Sequence, residues 1–178
     1  MRVRTRPALM ACAVASLLSA CASTRPPVAV PDALKVGPNE SLVLSAAAKG
    51  VQIYECRAGK EPGAPDQWAF VAPEAQLFDA GGNRIGEHGA GPHWQALDGS
   101  RTLGTMKASA ASPNADAIPW LLLTARPDGP NGSFSATTSV QRINTVGGKA
   151  PASGCSRSNY GAAARVPYTA DYLFYTAR

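Results

Sequence analysis

The sequence predicts an all-β domain: a β-sandwich or small β-barrel of roughly eight to eleven short antiparallel strands, with little helix. Three observations predict it. Seventeen glycines and fifteen prolines among 178 residues punctuate the chain at short intervals. Apolar spacing of the helical kind is nearly absent between them. The runs that remain are rich in β-branched and aromatic residues and are bounded by turn signals.

Taken in order, Ser41 to Ala48 is the one credible helix, although Val43 and Leu44 leave a strand open there. Val51 to Cys56 alternates as a strand with Gln52, Tyr54 and Cys56 on one face. Gln67 to Val71 and Ala75 to Phe78 read as two further strands, and Asp79 to Asn83 as a tight turn into Arg84 to Glu87. His93 to Leu97 and Arg101 to Ala108 flank Asp98-Gly99-Ser100, a favourable hairpin connection. Trp120 to Leu123 is continuously apolar, as a strand covered on both faces would be. Ser133 to Val146 reads as a long strand with a bulge or bend. At the C-terminus Val166, Tyr168, Ala170, Tyr172 and Phe174 share one face, and Thr169, Asp171, Leu173 and Tyr175 the other.

The N-terminus reads as an address. Arg2, Arg4 and Arg6 precede an apolar stretch from Ala8 to Leu18, too short for the roughly 20 residues of a membrane span but suited to a signal peptide. Leu18-Ser19-Ala20-Cys21 resembles a bacterial lipobox, which implies a leader over 1–20 and lipid on Cys21. Residues 21–35, proline-rich and without apolar periodicity, read as a tether, and 36–178 as a single domain. The partner implied is a membrane, reached through the anchor. Ala22, in place of the aspartate that commonly retains lipoproteins at the inner membrane, points to the outer membrane, facing the periplasm.

The charge balance loses its force once the leader is set aside. The whole chain is +5, from 17 basic and 12 acidic residues. Three of the basic residues are in the leader, so the remainder is +2, which makes no case for nucleic acid. Of four cysteines, Cys12 leaves with the leader and Cys21 carries lipid. Cys56 and Cys155 remain for an oxidising compartment, and the expectation is a disulfide between them.

The segments Gly50 to Cys56, His88 to Trp94, Asp98-Gly99-Ser100, Ala117 to Leu123, Gln141-Arg142, Thr145 to Gly148 and Val166 to Tyr172 together resemble the DUF3455 family of uncharacterised exported proteins. The resemblance spans about Val30 to Tyr175. It implies export, which agrees with the leader, and no activity.

Candidate chemistry centres on Glu87 to Trp94, which holds both histidines. Glu87, His88, His93 and Asp98 could form a ligand or metal site if the glycine-rich bend between the histidines brought the rings together. Their odd spacing otherwise puts His88 and His93 on opposite faces. Ser100, a histidine and Asp98 supply the residue types of a hydrolase, but no nucleophile elbow accompanies them. Trp68, Trp94, Trp120 and the tyrosines Tyr54, Tyr168, Tyr172 and Tyr175 could line a groove, with Tyr160 the better exposed candidate. Asp171 is expected to pair with Arg142 or Arg165. No phosphate-binding loop or other cofactor motif is present, and no catalytic set is assigned. The reading is an envelope lipoprotein acting as a binding or structural module; a metal-dependent or hydrolytic enzyme around His88, His93 and Asp98 is the alternative.

Overall fold

The computed structural model describes residues 28–178. The lipobox, Cys21 and the leader lie outside the described residues. Eight strands follow one another: β1 (Glu40–Arg57), β2 (Gln67–Phe78), β3 (Arg84–Gly89), β4 (His93–Ala96), β5 (Arg101–Ala110), β6 (Trp120–Pro127), β7 (Thr137–Gly147) and β8 (Ala163–Ala177). Each pairs antiparallel with its sequence neighbour, and β8 returns to β1, so the sheet closes into an up-and-down barrel. An eight-stranded closure has an interior just wide enough to be filled by side chains or to hold one small ligand.

Closure depends on β1, which serves two neighbours along most of its length. Ala47 to Arg57 pair with β2, and Glu40 to Glu55 pair with β8. Register shifts after Leu42 and Ile53 bend the strand as it goes. The segment expected as a helix, Ser41 to Ala48, is therefore strand. Its alanines favour a helix locally, but pairing on both sides outweighs that preference. Gly50 is needed at the tightest approach, where a Cβ would lie 2.1 Å from the Glu74 carbonyl oxygen.

Two strands expected around Pro73 are a single β2. Proline breaks a ladder only where its missing N–H is required. At Pro73 the side toward β3 has no partner, because β3 first meets β2 at Ala75.

Alternation divides the side chains into two cores. Inside the barrel, Ala46, Leu77, Trp94, Leu123, Val140, Tyr168, Tyr172 and Phe174 are all buried. Outside, Trp120, Leu122 and Ile143 are covered by a 3₁₀ turn at Asp32–Leu34, with Val28, Val30 and Val36 packed beside them. The unbroken apolar run of β6 thus has a covered face on each side, as its composition predicts. The end of the barrel near Phe134 is closed. The chain expected to begin a strand at Ser133 instead forms a turn, and this turn carries Phe134 inward to stack on Phe174 at 4.7 Å between centroids.

Candidate ligand-binding site

Register puts the site together from two walls. On one, His88 of β3 lies opposite Trp94 of β4. On the other, Arg142 of β7 lies between Leu121 of β6 and Tyr172 of β8. These side chains and Leu123 enclose a cavity of about 300 Å³. Its mouth is formed by Phe70, Val71 and Pro73 of the unpaired β2 stretch and by Gly91 and Pro92 of the β3–β4 turn. Phe70 and Val71 are 55% and 45% exposed, large apolar side chains at the rim of an opening. Gly104 forms the floor behind Trp94, where a Cβ would come within 2.7 Å of the indole.

The aromatic wall is rigid. His88 stacks on Trp94 with centroids 4.7 Å apart, and Tyr172 meets the indole edge-on at 5.5 Å. The His88 Nδ1 lies 2.7 Å from the His93 carbonyl oxygen, which can only accept, so Nδ1 carries the proton. Burial, reinforced by the positive field of Arg142, pushes the His88 pKa down to about 3. The ring is neutral at ordinary pH. Burial also pushes Tyr54, Tyr168 and Tyr172 above the usual phenol range, so these hydroxyls keep their protons.

The interior carries both an unpartnered donor and a cation. The Trp94 indole N–H, 1% exposed as a residue, has no hydrogen-bond partner, as is also true of the Trp120 indole N–H in the outer core. A buried donor left so costs roughly 1–3 kcal/mol. Arg142 meanwhile donates from Nε and Nη2 to the Pro119 carbonyl at 3.1 and 2.9 Å, and no carboxylate among the described residues pairs with it. Larger grooves run along the outer wall, one of about 520 Å³, but they are open, and the charged side chains there pair as Arg165–Glu74 and Arg84–Glu87.

The residues marked out by sequence do not converge. His88 is inside, whereas His93 lies on the outer face with its Nδ1 against the Ala90 carbonyl, and Glu87 faces outward to Arg84. Asp98 is at the opposite end of β4. Its carboxylate accepts from the Ser100 N–H and hydroxyl and from the Ser133 N–H and hydroxyl, and these bonds hold it well below the usual carboxylate range. Ser100 Oγ in turn accepts from the Phe134 N–H at 3.0 Å. The Asp98–Ser100 pair therefore secures a turn. No group of three metal-ligating side chains occurs among the described residues.

Cys56 and Cys155 form a disulfide, joining the end of β1 to the β7–β8 loop. Asp171 was expected beside Arg142 or Arg165, and among the described residues these side chains take the following partners. Arg165 pairs with Glu74, Arg142 turns to the other face, and Asp171 accepts from Asn144 at 2.6 Å. Trp68 donates to the Ser153 carbonyl, and Tyr160, at 40% exposed, donates to Asp66.

A family model described as a protein of unknown function, DUF3455, matches residues 37–176, which is nearly the whole barrel. The chain belongs to the DUF3455 family. It matches no curated protein and no solved structure. In this DUF3455 barrel Arg142, expected from sequence only as a partner for Asp171, lines the cavity instead. The available signal was its phase: it follows Val140 by two on a strand whose matching face is interior.

Proposed function

We propose that this DUF3455 protein is an exported lipoprotein, cleaved before Cys21 and held on the outer membrane facing the periplasm, whose barrel binds a small, largely apolar molecule. The lipobox and leader support the address. The observation that carries the binding reading is the interior cavity, open at Phe70 and Val71 and lined by Trp94, His88, Tyr172 and Arg142. A cavity of roughly 150 Å³ holds benzene, so about 300 Å³ suits a molecule of about a dozen non-hydrogen atoms.

Two measurements test this. Mass analysis of protein purified from membranes reports acyl groups on Cys21; an unmodified Cys21, or an unchanged membrane fraction in Cys21→Ser, overturns the anchor. Calorimetric titration with 3-phenylpropanamide, a neutral aromatic of suitable size, is expected to give one site, lost in Leu121→Trp, which fills the cavity while circular dichroism stays that of the barrel. Binding that survives Leu121→Trp unchanged places the ligand elsewhere and overturns the assignment.

A further inference from the structure

Resting on that binding reading, we infer that the ligand carries a carboxylate, received by the guanidinium of Arg142, with its apolar body against Trp94, His88 and Tyr172. Arg57, Arg84, Arg101 and Arg165 each pair with an acid, respectively Glu55, Glu87, Asp128 and Glu74. Arg126, Arg157 and Arg178 have no such pair but are exposed to water. Arg142 is the charged residue that lines the cavity, and its partners are neutral oxygens, the Pro119 carbonyl and the Tyr172 hydroxyl. The carbonyl occupies Nε and one Nη2 hydrogen and the hydroxyl one more, leaving part of a five-donor fork available.

Nothing in the walls supplies the missing anion. No aspartate or glutamate lines the cavity. The neighbouring phenols of Tyr54, Tyr168 and Tyr172 are held protonated by burial, so none becomes a counter-charge to Arg142. His88 is neutral and does not compete for an anion as a second cation. Asp171, adjacent in sequence to Tyr172, projects to the opposite face, where Asn144 bonds it. A cation faced by aromatic rings and neutral hydroxyls is most stable when an entering group brings one negative charge and several acceptor lone pairs.

The cavity's size and charge select the kind of anion. One guanidinium balances a monoanion, and its planar fork matches a carboxylate in two parallel hydrogen bonds. A doubly charged phosphate would leave a charge unmatched among apolar walls, at high cost. Phe70, Val71 and Pro92 at the mouth fit an apolar tail and not a second charge. The class is therefore a small aromatic or branched monocarboxylate.

Calorimetric titration of the full chain with 3-phenylpropanoate, 3-phenylpropanamide and 3-phenylpropylammonium separates the possibilities. The expected order is carboxylate over amide by about tenfold or more, with the ammonium weakest. In Arg142→Met the carboxylate and amide should bind within about twofold of each other. Arg142→Lys should retain part of the preference, because it keeps the charge and loses the fork. Equal binding of carboxylate and amide to the wild type overturns the inference and leaves the cavity reading standing. A carboxylate preference that persists in Arg142→Met also overturns it. Failure of all three compounds to bind the wild type overturns the cavity reading itself.

Discussion

The two ends of the barrel satisfy their polar groups in opposite ways. At the Phe134 end, both oxygens of Asp98 are met by Ser100 and Ser133, Ser100 Oγ is met by the Phe134 N–H, and Phe134 fills the space above Phe174. At the Phe70 end, a cavity remains, Trp94 has an unmatched N–H, and Arg142 has no acid. The same strands run through both ends, so strand pairing does not account for the contrast. The first end is complete without a ligand and the second is not. Restraint follows the same division: short hydrogen bonds secure the closed end, while the mouth end is tied covalently through Cys56 and Cys155.

The largest effect is expected at the closed end. Phe134→Ala removes a side chain that is 1% exposed and stacked on Phe174. Such truncations cost about 3–5 kcal/mol, which chemical denaturation would measure. A loss below about 1 kcal/mol would mean that the end is not filled as the geometry states. Next is the disulfide, which closes a loop with a sequence separation of 99. Replacing both cysteines by serine should cost about 2–5 kcal/mol, mainly through the freed unfolded chain. Hydrogen exchange should accelerate first at the β1–β2 and β7–β8 loops, with Phe134 and its neighbours still protected. Uniform acceleration at both ends would erase the distinction between them.

What the sequence discloses follows the same line. Strand periodicity made the paired elements legible, including both faces of β8 and the doubly covered run Trp120 to Leu123, because alternation is a local property. The disulfide was legible by counting thiols. The choice of barrel over sandwich was not, since it depends on β8 returning to β1, a contact between Glu40 and Ala177 that no local pattern encodes. The pocket was concealed for a related reason. Arg142 and His88 come from strands far apart in sequence, and each alone reads as an ordinary residue with a surface or structural role. Glu87, His88 and His93 drew attention by proximity along the chain, yet alternation sends His88 inward and the other two outward.

A pH series sharpens the contrast. His88 remains neutral in the folded barrel down to about pH 3, against an ordinary value of 6.5. Between those limits the unfolded chain binds a proton that the folded chain does not, so stability falls as pH drops through that window. The slope is about 1.4 kcal/mol per pH unit, or about 2 kcal/mol between pH 6.5 and pH 5. His88→Phe keeps an aromatic ring beside Trp94 and should abolish that slope. Asp98 acts in the same direction at lower pH: its depressed pKa contributes stability above the ordinary 3.8, lost as pH falls below it. Loss between pH 6.5 and 5 that persists in His88→Phe would assign the acid sensitivity to another group.

The smallest effect is the most diagnostic. Arg142→Met removes a charge from the cavity wall and fills comparable volume with an apolar chain. It sacrifices two hydrogen bonds to one Pro119 carbonyl, and it places an apolar chain on a wall made largely of apolar and aromatic side chains. These contributions oppose each other, so the unfolding free energy should change by less than about 1 kcal/mol. A residue serving the fold, such as Phe134, has no such compensation. If Arg142→Met costs as much as Phe134→Ala, Arg142 is the fastening between β7 and the β5–β6 loop, and the mouth end is as self-sufficient as the closed one. If the cost is small while carboxylate affinity falls, the guanidinium serves the ligand and not the fold, which is the trade expected of a site built for binding.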